Sequence, residues 1–308
     1  MGLFGGKSFD PATEILSLKG KVFFVTGGNT GLGLEAIKQL LEHEPEQVFL
    51  AARTPSKGEA AVAELKKNQP NANIAFIPLD LSSFDSISSA AQEFASKQTR
   101  LDVLMNNAGI MAVPSTETKD GYEIQFGTNH MGHALLTKLL MPTLEATAQQ
   151  PGADVRIINL TSEGHNFART ASVLTDQIAL KKLNPWTVYG YSKLANILFA
   201  QQLAAHHPNI TSVAVHPGVI KTDLYAPNST SNPILRWGLM VGGWLRGTVQ
   251  QGALNQLWAA TAPKEEIRNG AYYKPVASLA AGSPLAQKKG LASDLWEYTE
   301  KELAAKGF

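Results

Sequence analysis

The chain has 308 residues, 44% of them hydrophobic, and its 27 Lys+Arg against 26 Asp+Glu leave a formal net charge of +1. This apolar content is sufficient for a large buried core, and the balanced charge excludes the basic footprint of a nucleic-acid-binding protein. The chain contains no cysteine, which excludes disulfides, thiolate metal sites and cysteine nucleophiles.

Strand and helix patterns alternate along the chain without a linker. The predicted strands cover residues 22–26, 48–52, 74–78, 103–106, 155–160, 211–216 and 271–273. The predicted helices cover residues 34–41, 58–69, 84–97, 121–147 and 189–206. This alternation predicts one α/β domain over 1–308, of the doubly wound Rossmann type, with a parallel seven-stranded sheet and helices on both faces. Ligands of such sheets bind at the carboxyl ends of the strands.

A glycine-rich turn connects the first strand to the first helix. The strand 22–26 leads into Gly27-Gly28-Asn29-Thr30-Gly31-Leu32-Gly33. Glycines at these positions allow a tight turn and a close approach of the backbone to a pyrophosphate. The helix start adds free N–H groups and a positive dipole end. The sequence therefore predicts a dinucleotide site that uses the turn residues Gly27, Asn29, Thr30, Gly31, Leu32 and Gly33.

The residues after the second strand indicate which dinucleotide is bound. An NAD site places an acidic residue about 20 residues beyond the glycines, whereas this chain has Arg53 and, one turn on, Lys57. A cation there suits a 2′-phosphate, so we expect NADP(H). The alternative is that Arg53 is only a solvated charge at a strand end.

A second group of residues is typical of proton transfer. Tyr189 and Lys193 are four residues apart at the start of a predicted helix and therefore share a face. A phenol has a pKa near 10, and a nearby cation favours the phenolate. A serine such as Ser162, at the end of the strand 155–160, can hold a substrate oxygen in line. Taken alone, the pair fits equally well a core tyrosine and a surface lysine.

Together these motifs resemble the short-chain dehydrogenase/reductase family. The marks are Thr26-Gly27-x3-Gly31-x-Gly33, Asn106-Asn107-Ala108-Gly109, Asn129, Ser162, Tyr189-x3-Lys193 and Pro217-Gly218-Val219-Ile220-Lys221-Thr222, within residues 18–274. The stretch from Tyr189 onward is most similar to the retinol-dehydrogenase-like and WW-domain-oxidoreductase-like branch, without a preceding WW domain.

The resemblance implies roles for individual residues. The implied catalytic residues are Asn129, Ser162, Tyr189 and Lys193, with Asn129 bending its helix and holding a water that links the lysine to solvent. The implied cofactor contacts, besides the turn residues and the two cations, are Asp80, Leu81, Asn107, Ala108, Gly109, Tyr189, Lys193, Pro217, Ile220 and Thr222. Asp80 has a helix N-cap as its alternative, and Thr161 competes with Ser162 for the serine's position.

Four further segments lie outside these motifs. Residues 1–17 form an N-terminal extension and residues 276–308 a C-terminal tail. Residues 223–248 include Trp237, Met240 and Trp244 and suit a lid over a lipophilic substrate. A membrane-surface helix and a subunit contact are the alternatives for this segment. The long insert after Ser162 contains His165, Phe167, Leu183 and Trp186, which either wall a substrate pocket or simply pack.

The sequence thus predicts an NADP(H)-dependent oxidoreductase that interconverts a carbonyl and an alcohol on a lipophilic small molecule, with Tyr189 as the acid/base. A non-redox cyclase or isomerase and a ligand-binding protein are the alternatives.

His206 and His207 point to different faces, so no metal site is expected. A homodimer through the helices bearing Asn129 and Tyr189 fits the resemblance. Without a secretory signal or an apolar run of ~20 residues, the sequence predicts a cytoplasmic protein.

Overall fold

The computed structural model describes residues 7–218, 220 and 247–308. Within these residues the chain forms one eight-stranded sheet in the order β3-β2-β1-β4-β5-β6-β7-β8. The strands are β1 Val22–Thr26, β2 Gln47–Ala52, β3 Ile74–Pro78, β4 Val103–Asn106, β5 Arg156–Leu160, β6 Thr211–Val215, β7 Tyr272–Lys274 and β8 Ser278–Ala280. The doubly wound α/β prediction is confirmed.

The described helices surround this sheet. They are α1 Pro11–Glu14, α2 Gly31–Leu41, α3 Pro55–Asn68, α4 Phe84–Lys97, α5 Ile124–Phe126, α6 Gly132–Ala148, α7 Gln177–Leu180, α8 Pro185–His206, α9 Val249–Thr261 and α10 Leu291–Ala305. A π-helical turn, Gly127–Met131, joins α5 to α6, and a 3₁₀ helix, Glu163–Phe167, follows β5. Among the described residues, no helix combines the length and hydropathy of a membrane span.

The prediction of seven strands is wrong by one. The strands β1 to β7 are parallel to their neighbours, but β8 is an additional strand that pairs antiparallel with β7. It has three residues and lies at the edge of the sheet, with Leu279 55% exposed. So short and exposed a strand carries no hydrophobic alternation from which a sequence could predict it.

The sheet is buried on both faces because its strands are apolar at successive positions. Phe24 and Phe49 point to one face and pack edge-on against Phe94 of α4, at centroid distances of 5.6 and 5.0 Å. Val25 and Leu50 belong to the core cluster on the opposite face, together with residues of α2. The continuous hydrophobic run of β1 therefore faces a helix layer on either side, as in other parallel sheets.

Four predicted helix starts move in the structure. The helices α2 and α3 each begin three residues earlier than predicted, at Gly31 and Pro55. The helix α8 begins at Pro185, four residues before Tyr189, because Pro185 occupies the first helical position and the Asn184 side chain accepts the Thr187 N–H. Tyr189 therefore lies in the second turn rather than opening the helix. The predicted helix 121–147 begins at Ile124 and is interrupted by the π-helical turn.

The predicted tail 276–308 contains β8 and α10. Leu291, Leu295 and Leu303 of α10 are buried, and Trp296 stacks on Phe199 of α8 at 5.8 Å. The extension 1–17 includes α1. The candidate lid 223–248 lies outside the described residues apart from Gly247 and Thr248.

Candidate active site

A cleft of about 880 Å³ opens at the carboxyl ends of the strands. The sequence-predicted residues that line it include the glycine turn and one residue or more after each of five strands. These residues are Thr26, Gly27, Asn29, Thr30, Gly31, Leu32, Arg53, Asp80, Leu81, Asn107, Ala108, Gly109, Thr161, Tyr189, Lys193 and Pro217. The structure thus brings the dinucleotide motifs and the Tyr189–Lys193 pair into one cleft.

The glycine turn is shaped by two close approaches. Gly27 has φ +65°, in the left-handed region, and a Cβ there would lie 3.1 Å from the Ala108 backbone. A Cβ on Gly33 would lie 2.5 Å from both the Gly27 carbonyl oxygen and Asn107 Nδ2. The first turn of α2 can pack this tightly against the end of β1 only because both residues are glycine.

Thr26 holds the loop after β4 against the end of β1. Its Oγ1 accepts the backbone N–H groups of Asn107 and Ala108, both at 2.9 Å. Asn107 Nδ2 donates to the Thr26 carbonyl at 2.7 Å. The other amide atom, Asn107 Oδ1, is buried and accepts no hydrogen bond from the described residues. The cleft therefore has a preformed floor that is held together by these hydrogen bonds.

The predicted cofactor contacts differ in placement. Arg53 is exposed and lines the cleft, whereas Lys57 is exposed in the first turn of α3 and does not line it. Asp80 lines the cleft, and its Oδ1 accepts from the backbone and hydroxyl of Ser82 at 3.0 and 2.7 Å. The N-cap of α4 is Ser83, not Asp80. The alternative N-cap interpretation of Asp80 is therefore wrong.

Tyr189 and Lys193 meet on one face of α8. Their side chains are buried, and Lys193 Nζ lies 5.7 Å from the centroid of the Tyr189 ring. Lys193 Nζ donates to the Leu160 carbonyl at 3.2 Å. Burial lowers the pKa of Lys193 to about 8. At neutral pH the amine therefore remains mainly protonated and places a cation beside the phenol.

Asn129 lies in the π-helical turn and connects two parts of the site. Its Oδ1 accepts the Ile110 N–H and its Nδ2 donates to the Ile110 carbonyl, both at 2.9 Å. Nδ2 also donates to Ser192 Oγ at 2.9 Å. A Cβ on Gly109 would lie 3.2 Å from both Asn129 Oδ1 and Lys193 Nζ. The amide thus ties the loop after β4 to α8 beside the lysine.

Ser162 lies at the start of the 3₁₀ helix, next to the tyrosine. Its Oγ accepts the Gly164 N–H at 3.1 Å. A Cβ on Gly164 would lie 2.8 Å from Tyr189 Cε1 and 3.4 Å from Ser162 Oγ, so both side chains lie close to this glycine. Thr161 is 2% exposed and donates its hydroxyl to the Lys193 carbonyl at 2.7 Å. The geometry therefore favours Ser162 over Thr161 as the residue whose hydroxyl lies beside Tyr189.

Comparison with known proteins agrees with this geometry. The family model described as short chain dehydrogenase matches residues 21–232. The short-chain dehydrogenase/reductase drtF of Aspergillus calidoustus is 37% identical over 93% of this chain and 95% of its own length. The chain belongs to the short-chain dehydrogenase/reductase family. Retinol dehydrogenase 11 of Homo sapiens is 36% identical over 92% of this chain and 86% of its own, which confirms the resemblance to the retinol-dehydrogenase-like branch.

A solved structure of the same family extends the comparison. The crystal structure of NADPH-bound carbonyl reductase from chicken fatty liver superimposes with a TM-score of 0.61 at 25% identity, covering 84% of this chain and 98% of that one. This short-chain dehydrogenase/reductase is therefore an enzyme, a carbonyl/alcohol oxidoreductase that uses a nicotinamide dinucleotide.

The remaining predicted residues are less closely associated with the cleft. Ile220 is buried, forms a bridge with Gly247 and does not line the cleft. Thr222 lies outside the described residues.

Within the described part of the chain, no three His, Asp or Glu side chains are grouped so as to hold a metal ion.

The insert after Ser162 places aromatic residues beside the tyrosine. Trp186 packs against the small cluster of Met111, Ala112 and Tyr189. Phe167 meets Trp186 edge-on at 6.5 Å and is 44% exposed. Among the four residues singled out in the insert, Phe167 and Trp186 therefore form an apolar wall. Leu183 packs against the main core instead.

His165, the remaining residue singled out in the insert, is a buried structural residue. Its Nδ1 donates to the Ser162 carbonyl at 2.7 Å, and its Nε2 accepts the Ser283 N–H at 3.0 Å. The histidine thus holds the Ser162 turn against the C-terminal segment.

Sequence reasoning missed Gln125, which connects three elements of the site. Its Oε1 accepts the Ala112 N–H at 2.7 Å and its Nε2 donates to the Pro185 carbonyl at 2.9 Å. The residue thereby fixes the start of α8, and with it Tyr189, against the loop after β4. Nothing local distinguishes this glutamine, because both partners are distant in the chain.

His133 is a second residue that sequence reasoning missed. It lies four residues after Asn129 on the same helix face, and that spacing could have singled it out.

Proposed function

We propose that this enzyme is an NADP(H)-dependent oxidoreductase that interconverts a carbonyl and an alcohol on a lipophilic small molecule, with Tyr189 as the acid/base. One observation carries the proposal: the Tyr189–Lys193 pair lines the same cleft as the glycine turn. A proton donor and the site for a hydride carrier therefore lie within one cavity. The intact set of Asn129, Ser162, Tyr189 and Lys193 argues against a protein that only binds a ligand.

The described residues fit a dinucleotide. The turn at Gly27 and Gly33 leaves no space for side chains, which allows a pyrophosphate to approach the backbone at the start of α2. Asp80, Leu81 and the loop Asn107 to Gly109 line the same cleft, and the family resemblance assigns Asp80 to the adenine. When bound, the nicotinamide supplies or accepts a hydride. Lys193 lines the same cleft and would hold ribose hydroxyls in addition to its carbonyl partner.

Two hydroxyl groups act on the substrate oxygen. Ser162 Oγ accepts the Gly164 N–H, so its own proton is available to donate to a carbonyl oxygen. In the reductive direction the proton of Tyr189 Oη passes to the same oxygen as the alcohol forms. The Lys193 ammonium then stabilises the negative charge left on the phenolate. In the oxidative direction the phenolate takes the proton back.

The lining of the substrate side supports an apolar substrate. Ile110, Val113, Pro114 and Ile124 line the cleft beyond the dinucleotide residues. Trp186 and Met111 pack around Tyr189. Such a wall offers apolar contact with few polar partners, which is typical of pockets for lipophilic ligands. The lid composition predicted for 223–248 is consistent with the same class of substrate.

The experiment is to follow NADPH oxidation by the purified enzyme with a panel of apolar aldehydes and ketones. Hydrophilic sugars and carboxylate-bearing ketones serve as matched controls. We expect turnover of apolar carbonyls and little turnover of the hydrophilic ones. Product formation without NADPH oxidation would instead indicate a cyclase or isomerase, and binding without any product a ligand-binding protein.

Arg53→Asp is expected to lower the NADPH/NADH ratio of kcat/KM by about 10- to 150-fold. The reason is that a charge-assisted hydrogen bond to the 2′-phosphate contributes about 1.5–3 kcal/mol, and an aspartate repels that phosphate. Steady-state kinetics with both cofactors measures the ratio. Lys66→Asp, the same charge change at an exposed position later in α3, is the control. An unchanged ratio in Arg53→Asp would show that Arg53 is only a solvated charge.

A further inference from the structure

A buried histidine connects the dinucleotide loop to Asn129. His133 lies in α6 and is 2% exposed. Its Nδ1 lies 3.0 Å from the backbone carbonyl oxygen of Asn129. Its Nε2 lies 2.9 Å from Thr26 Oγ1. One imidazole therefore contacts both the end of β1 and the π-helical turn.

The direction of each hydrogen bond follows from the chemistry of the partners. A carbonyl oxygen only accepts, so Nδ1 of His133 carries the proton. Burial lowers the pKa of His133 to about 4, so the ring is neutral near pH 7 and Nε2 is an acceptor. Thr26 must then donate its hydroxyl proton to Nε2, since the Met105 carbonyl is more distant at 3.4 Å. The oxygen of Thr26 remains free to accept from Asn107 and Ala108.

The result is a continuous chain of hydrogen bonds with a defined direction. Because the Thr26 proton is directed at His133, the lone pairs of Thr26 face the two N–H groups of the loop that follows β4. At the other end, the Nδ1 proton fixes the Asn129 backbone, whose side chain holds Ile110 and Ser192. A side chain at 133 without both nitrogens would leave the Thr26 hydroxyl with only the 3.4 Å contact to the Met105 carbonyl, or would remove the side-chain donor to the Asn129 carbonyl.

We propose that His133 is a positioning residue with two separable effects, one for each ring nitrogen. Through Nε2 and Thr26 it holds the dinucleotide-binding loop, and through Nδ1 it holds Asn129 in place for turnover. This inference rests on the proposed function for the identity of the cofactor and the reaction.

The test replaces one nitrogen at a time. An asparagine amide can occupy the position of Nδ1 but does not reach Thr26, whereas a glutamine amide can reach Thr26 but not replace Nδ1. His133→Asn is expected to weaken NADPH binding by roughly 10- to 100-fold, with kcat at saturating NADPH nearly retained. His133→Gln is expected to retain NADPH affinity and lower kcat. NADPH affinity is measured by fluorescence titration without substrate, and kcat separately.

A double-mutant cycle identifies the partner. Thr26→Val should weaken NADPH binding by a similar factor, and Thr26→Val combined with His133→Asn should be no weaker than the worse single variant. The matched control is His130→Gln. His130 is equally buried, but its Nε2 pairs with Thr299 Oγ1 of α10 at 3.0 Å, away from the cleft. We expect this variant to lower the thermal midpoint without changing NADPH affinity.

Several outcomes would overturn the inference. These are equal effects of His133→Asn and His133→Gln on affinity and on kcat, additive effects of Thr26→Val and His133→Asn, or a loss of NADPH affinity in His130→Gln. If the wild type binds NADPH but reduces no carbonyl, the proposed function fails while the titrations still decide this inference. If neither His133 variant folds, an unchanged NADPH affinity in Thr26→Val overturns it.

Discussion

Tyr189→Phe is expected to retain NADPH binding and to lose about 10²–10⁴-fold in kcat, the usual contribution of one general acid–base group. The substitution removes only the hydroxyl, and the ring can keep its packing against Met111, Ala112 and Trp186. Without Oη no group on this face of α8 delivers a proton to the substrate oxygen, since Lys193 Nζ is directed at the Leu160 carbonyl. NADPH titration and kcat with an apolar ketone are the two measurements.

Tyr191→Phe is the matched control for this prediction. Tyr191 lies on the same helix and is also buried, but its hydroxyl pairs with the backbone of Thr170, accepting the N–H and donating to the carbonyl, each at 3.0 Å. Its removal is expected to reduce stability and leave kcat nearly unchanged. Wild-type kcat in Tyr189→Phe, or an equal loss in both variants, contradicts the role assigned to Tyr189.

The second prediction is a steep loss of stability in mild acid, at about 2–3 kcal/mol per pH unit between pH 6 and pH 5. Burial lowers the pKa of His130 to about 3 and those of His133 and His216 to about 4. In the unfolded chain these groups titrate near 6.5. Below that pH the unfolded state binds protons that the folded state does not, so its free energy falls relative to the folded state.

One carboxyl group opposes this trend. Burial raises the pKa of Glu123 to about 7, although it accepts the N–H groups of Gln125 and Phe126. The folded state therefore holds a proton that the unfolded state releases above pH 4.5, and this gains stability as the pH falls. The three histidines with a pKa near 3 to 4 against one glutamate leave a net uptake of about two protons on unfolding, which sets the slope stated above. Burial also lowers the pKa of His165, which acts in the same direction as the three histidines.

Urea unfolding at a series of pH values measures this slope. His130→Gln removes one titrating group and should reduce the slope by about 1.4 kcal/mol per pH unit. The control Leu16→Gln introduces the same side chain at an exposed position without removing a titrating group, and should leave the slope unchanged. A flat profile from pH 6.5 to pH 5 in the wild type would contradict the prediction.

The parts of the fold that could be predicted depend on local patterns. The first six strands agree with the sequence prediction to within one residue at every end, because apolar runs bounded by turn residues are local signals. The glycine turn was predictable because the strand, the turn and the helix follow one another in the chain. The position of α8 was predicted less well, since its N-cap Asn184 and Pro185 precede any apolar pattern.

The candidate site likewise combines features that local spacing predicts with features that depend on contacts between elements. The spacing of Tyr189 and Lys193 predicts a shared face, and the structure places both in the cleft. In contrast, the choice between Ser162 and Thr161 depends on a contact between elements. The Thr161 hydroxyl donates to the Lys193 carbonyl of α8, which favours Ser162 as the residue beside Tyr189. Lys57 follows Arg53 by one turn, yet the direction of α3 leaves it outside the cleft lining.

By itself the sequence determined the fold class, the family and the residue types that carry the chemistry, because these depend on periodicity and on spacing within single elements. Only the tertiary structure decided which atoms pair across elements. The contacts of Gln125 with Ala112 and Pro185, and of His133 with Thr26, join residues that the chain separates widely. Such pairs arise because buried polar groups must find partners wherever the packing places them, and packing is a property of the whole fold.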